Sequence, residues 1–185
     1  MKRFLIILLL TCLVLSACAG DKNESFVSEP FSEHPMDSVD NAYLLAATDI
    51  ESLLKEYESL TLRIDGEDHE ITCTDLGLTI DINGETKSGA EATDYINTVL
   101  PRVFENDTEL QLETNLLDDG TGEAVIYMFI DETVKNAFPD ESLVTDEVFS
   151  VYYELDKEGR VISVTYSKAV DRENFKILRM VTITY

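Results

Sequence analysis

From Leu60 to the end of the chain, apolar side chains recur mainly at every second position, and this constrains the fold more than any other feature. Leu60, Leu62 and Ile64 alternate with Thr61, Arg63 and Asp65. After the turn Asp65-Gly66-Glu67-Asp68 come Ile71 and Cys73, and Leu78, Ile80 and Ile82 then alternate up to Asn83-Gly84. A period of two marks a strand with one covered face, and an Asn-Gly step between two such runs marks a tight hairpin. Leu110, Leu112, Thr114 and Leu116 share a face before Asp118-Asp119-Gly120-Thr121-Gly122 turns the chain. Val148 to Leu155, Arg160 to Lys168 and Phe175 to Tyr185 alternate again, with a turn at Asp156-Lys157-Glu158-Gly159. The run from Ala124 to Ile130 is apolar on both faces, which predicts a central strand.

Two stretches change to spacings of three and four. Ala46, Ala47, Ile50, Leu53, Leu54 and Tyr57 form one helical stripe, with Asp40 as N-cap or with a second start at Thr48. Ser88-Gly89-Ala90-Glu91 reads as a capping box ahead of the stripe Ala92, Tyr95, Ile96, Val99, Leu100 and Val103. Pro101 lacks an amide hydrogen and should end that helix near Leu100. A shorter helix spans Asp131 to Phe138, before Pro139. Runs of strand and runs of helix without β-α-β alternation predict an α+β fold. The expected domain, residues 41–185, has two main helices packed on a mostly antiparallel, twisted β-sheet.

The amino terminus carries a different message. Lys2 and Arg3 precede an apolar run from Phe4 to Leu10 that continues to Leu15, and Leu15-Ser16-Ala17-Cys18 follows. A positive flank, an apolar stretch too short for a bilayer and small residues before a cut describe an export signal. The four residues ending in Cys18 resemble the lipobox of bacterial lipoproteins. The resemblance implies cleavage between Ala17 and Cys18, a diacylglycerol on the Cys18 sulfur, and frequent acylation, such as palmitate, of the new amino terminus. It places the mature chain on the extracytoplasmic face of a bacterial cell membrane, with the lipid bilayer as its first partner. Residues 1–17 are then the signal, and residues 18–40 are a flexible tether of Gly, Ser, Asn, Pro and acids.

Charge narrows the partners. The chain has 37 acidic and 14 basic residues, a formal net charge of −23, and losing Lys2 and Arg3 with the signal moves it to −25. Such a field repels nucleic acid and anionic headgroups, so nucleic acid is excluded as a partner. Hydrophobic residues still make up 44% of the chain, enough to bury a core. With Cys12 in the signal and Cys18 acylated, Cys73 is the remaining thiol, so the domain rests on packing rather than on an internal disulfide. Alternation with Ile71 predicts a buried Cys73.

The catalytic inventory is thin, and no catalytic, metal or cofactor residue is assigned. His34 lies in the tether, and His69, in Glu67-Asp68-His69-Glu70, reads as a solvated turn residue. Two histidines are too few for zinc-ligand spacing, and no Gly-x-Ser-x-Gly, phosphate loop or dinucleotide fingerprint occurs. The acid-rich turns around Gly84, Gly120 and Gly159 fail the EF-hand pattern when each glycine is aligned, and Asp, Asn and Gly are what tight turns require. Among 37 acids some pair will always stand at glycosidase separation, so a pair alone carries little weight. The aromatic residues Tyr127, Phe129, Phe149, Tyr153 and Tyr166 fall on expected strands and read as core.

Leu60-Thr61-Leu62-Arg63-Ile64-Asp65-Gly66, continued by Thr74-Asp75-Leu76-Gly77-Leu78-Thr79-Ile80-Asp81, resembles a stretch of the peptidoglycan-binding modules that precede some L,D-transpeptidase domains. The resemblance covers about twenty residues and implies a wall-associated binder. Together these readings lead to an anchored, non-catalytic binding module whose partner is a protein, a cell-wall polymer or a hydrophobic ligand. A carboxylate-dependent envelope hydrolase and a calcium-dependent wall or adhesion module are the alternatives.

Overall fold

The computed structural model describes residues 39–74, 77–105, 108, 110–171 and 174–185. These residues form an α+β fold built on one nine-stranded sheet whose neighbours all pair antiparallel. The chain opens with α1 (Asn41–Ala47) and α2 (Ile50–Glu56), then runs through β1 (Ser59–Ile64), β2 (Glu67–Thr74), β3 (Gly77–Ile82) and β4 (Glu85–Ser88). After α3 (Ala90–Val99) it continues through β5 (Gln111–Leu116), β6 (Gly122–Phe129), α4 (Glu132–Ala137), β7 (Val148–Leu155), β8 (Val161–Ala169) and β9 (Phe175–Thr184). The strand order is β4-β3-β2-β1-β9-β8-β7-β6-β5. Two meanders are thus joined where β9 pairs with β1, and α3 with the segment after it carries the chain from one sheet edge to the other.

The tight turns are where the alternation puts them. Asp65 and Gly66 have φ of 52° and 86°, and Asn83 and Gly84 have 54° and 81°. Positive φ at both central residues is the type I′ geometry that suits the twist of paired strands, and both hairpins close on two-residue loops.

Both main helical stretches are present, the first of them divided. Asp40 caps α1 by accepting from the Tyr43 amide at 2.7 Å. At Thr48 the side chain donates to the Leu44 carbonyl at 2.9 Å, the backbone leaves the helical region, and Asp49 becomes the N-cap of α2. The capping box is not formed. Ser88 pairs with Thr79 in β4, and Gly89, at φ 57° and ψ −127°, is the N-cap of α3 without any side-chain bond. A chain that leaves a ladder and enters a helix within one residue needs a backbone conformation open to glycine. The helix ends at Val99, with Leu100 as C-cap ahead of Pro101.

The four helices among the described residues cover one face of the sheet. Leu60, Leu62, Ile71, Ile80, Val164 and Ile183 point into this layer and are buried, as are Leu44, Ile50, Ala92 and Val134 from the helices. In α4, Phe138 at the C-cap stacks near Phe149 and Tyr166, and the Arg179 guanidinium lies 5.0 Å from its ring centroid. No helix among the described residues is long and apolar enough to cross a membrane.

Two side chains depart from expectation on this face. His69 is buried, not a solvated turn residue: it belongs to β2, shares the face of Ile71, and its ring centroid is 5.8 Å from that of Tyr95 in α3. Cys73 is exposed, not buried, because β2 carries it past the helical cover.

Candidate functional site

Among the described residues the opposite face of the sheet carries no helix, and there the apolar pattern of β6 finds its explanation. β6 is not central; it stands next to edge strand β5. Its second apolar face is uncovered instead of sandwiched. Phe149, Tyr153 and Tyr166 join the core as expected, while Tyr127 and Phe129 project to the open side, where Phe129 is 69% exposed.

Strand register composes this face in rows. Phe129 pairs with Val148, and Ala169 with Phe175. The next row is Gln111, Tyr127, Ser150, Ser167 and Ile177. Beyond it lie Glu113, Val125, Tyr152, Thr165 and Met180. The last is Asn115, Glu123, Glu154, Ser163 and Thr182, continued onto β1 by Arg63. The face therefore grades from apolar to charged along the strands.

Side-chain size shapes it as well. β7 and β8 present small residues at the centre, and Ser150 and Ser167 are only 4% and 7% exposed although no element covers them. Their hydroxyls bond to each other at 2.8 Å, which satisfies the buried pair. Tyr127 and Phe129 on β6 rise on one side, and Phe175, Ile177 and Met180 on β9 on the other. Between them runs a groove whose apolar end widens to about 760 Å³ and is lined by Leu110, Tyr127, Phe129, Val148, Ala169 and Phe175, with Glu113 and Asp171 at its margin. Ile177 is 57%, Met180 50% and Phe175 44% exposed. A continuous row of large exposed apolar residues is unusual on a free surface.

The polar groups around the groove are acidic or neutral. Burial raises the Tyr127 hydroxyl above its usual range, and the nearby Glu113 charge adds to this. The Tyr152 hydroxyl is also raised, first by burial and then by its 2.5 Å hydrogen bond to Glu123 Oε1. Both phenols are therefore neutral donors at physiological pH.

The remaining candidate residues lie elsewhere. Ala17, Cys18 and His34 fall outside the described residues. The acid turns are closed by their own carboxylates: Asp81 Oδ1 accepts from the Gly84 amide, Asp119 Oδ1 from the Thr121 amide, and Asp156 Oδ1 from the Glu158 and Arg160 amides, all at 2.9–3.0 Å. Among the described residues no group of three or more His, Cys, Asp or Glu is placed to hold a metal ion. The groove itself is legible only once β7 is paired with β8, although exposed Phe129 falls at the end of a run apolar on both faces. Comparison of the chain with protein-family models, with curated proteins and with solved structures finds no match.

Proposed function

We propose that this chain is a bacterial lipoprotein, anchored through acylated Cys18 on the extracytoplasmic side of the membrane, which acts as a non-catalytic binding module through the open face of its sheet. One observation carries the binding reading: Phe129 and Phe175 border a groove, exposed Ile177 and Met180 extend the same apolar face along β9, and no part of the described chain covers it. The occupant is a segment of a partner protein with apolar side chains and basic flanks. Glu113 and Asp171 border the apolar end, Glu123 and Glu154 lie towards the other, and the chain's strong negative charge favours a cationic approach. A Ser-His pair is not formed by the described groove residues: Ser150 and Ser167 bond each other, and His69 lies on the far face.

Two experiments test this. Cys18→Ala should release the protein from the membrane fraction, and retention would refute the anchor. A photo-cross-linker at position 177 on intact cells should trap one heterologous protein that a cross-linker at Glu85, on the sheet edge, does not. A dimer of this chain, or no product, would refute the assigned occupant.

A further inference from the structure

A second cavity, of about 410 Å³, lies on the other side of the sheet beneath the helices, where Leu45, Ile96 and Phe104 form apolar walls, Thr48, Thr93 and Asn97 add polar groups, and Tyr153 and Tyr166 form the floor. The two tyrosines are each only 3% exposed and point from adjacent strands into this layer. Their hydroxyls differ in one respect. Tyr166 donates to the Pro101 carbonyl at 3.0 Å. The Tyr153 hydroxyl has no hydrogen-bond partner among the described residues, yet the side chain lines the cavity. The hydroxyl is not sealed in the core but opens onto the cavity, where it is free to donate to whatever occupies that space.

We infer that this cavity is a binding site, separate from the open-face groove, for a small uncharged amphipathic molecule with a short hydrocarbon body and one hydrogen-bond acceptor at its inner end, received by the Tyr153 hydroxyl. The volume falls in the range of about 300–1,000 Å³ usual for small-molecule sites, and far exceeds the ~30 Å³ share of a single water. Burial holds the Tyr153 phenol protonated, with the neighbouring Tyr166 acting in the same direction, so it serves as a donor. The floor offers no cation to balance a carboxylate. The charged lining residues, Asp49, Glu51 and Arg102, are on the chain segments bounding the mouth, and Glu51 and Arg102 are exposed. A ketone, ester or ether oxygen on a short hydrocarbon satisfies the phenol and the apolar walls together.

The test uses the full chain in lipid nanodiscs with 13Cζ-labelled tyrosine and 2-octanone as the probe. The Tyr166 resonance reports occupancy and the Tyr153 resonance reports the new hydrogen bond. Saturable shifts of both are expected. Tyr153→Phe should retain the Tyr166 shift with affinity about five- to tenfold weaker, the value of one neutral hydrogen bond. Thr93→Leu, on the cavity lining, should abolish it, and Ile177→Asp on the open face should leave it unchanged. No saturable shift in the wild-type chain, or undiminished affinity in Tyr153→Phe, would overturn the inference. A response lost in Ile177→Asp but kept in Thr93→Leu would place the probe in the groove and equally overturn it.

Discussion

Removing one hydroxyl from each of two neighbouring tyrosines should change stability at one position and hardly at the other. Tyr166 and Tyr153 are equally buried, on adjacent antiparallel strands of the same face. Tyr166→Phe deletes a buried hydrogen bond to the Pro101 carbonyl and removes that partner from the carbonyl. The expected cost is about 1–2 kcal/mol. The Tyr153 hydroxyl opens onto the cavity and bonds no described residue, so Tyr153→Phe should change the stability of the free protein by no more than about 0.5 kcal/mol. In a chain of this size each kcal/mol corresponds to roughly 2–4 °C in Tm. Urea unfolding followed by far-UV circular dichroism suits a protein without tryptophan, and equal m values would show that only stability has changed. If Tyr153→Phe destabilises as much as Tyr166→Phe, the Tyr153 hydroxyl is already satisfied in the free protein and the reasoning fails.

Further predictions follow from single positions. Gly89→Ala places a Cβ at φ 57° and ψ −127°, where there is open space but a strained backbone, and should cost about 1–3 kcal/mol by thermal melt. Ile177→Asp and Met180→Asp, on half-exposed side chains, should change stability by no more than about 0.5 kcal/mol while eliminating partner cross-linking. Cys73 should react with a thiol reagent at native pH without denaturant, since it is exposed; a reaction that requires urea would contradict its placement. Burial pushes the Asp156 carboxyl up, but hydrogen bonds from the Arg160 side chain and amide outweigh this and hold it below its usual value. The stability it contributes is complete above the unfolded carboxyl pKa of about 4 and is lost as pH falls through the lower folded value. Asp156→Asn should therefore flatten the melting-temperature profile below about pH 4, and an unchanged acid limb would refute the assignment.

What the sequence disclosed was local chemistry. Asp65-Gly66 and Asn83-Gly84 favour positive φ, so both turns could be read directly, although Glu67 and Asp68, expected in the first turn, already belong to β2. The end of α3 at Pro101 and the cap at Asp40 were legible for the same reason. Which strand face is covered is a property of distant elements, and there the reading failed. His69 and Cys73 share a face four residues apart, but Tyr95 of α3 stacks near the first and the helical cover stops before the second. Ala124 to Ile130 is apolar on both faces, a pattern equally suited to a central strand and to one that offers a surface. The first helix does divide near Thr48, the second start that the sequence offered, although Asp49 rather than Thr48 is the N-cap of α2. The groove floor depends on pairing Ser150 with Ser167, which belong to separate strands.

Carbene footprinting of the open face, on intact cells and on the purified full chain in parallel, tests the central claim most directly. The account predicts strong labelling of Phe129, Phe175, Ile177 and Met180 in the purified protein and loss of that labelling at the cell surface, while Cys73 remains accessible in both. Equal labelling of the four residues in both settings would show that nothing docks on this face, and the binding-module reading would be wrong.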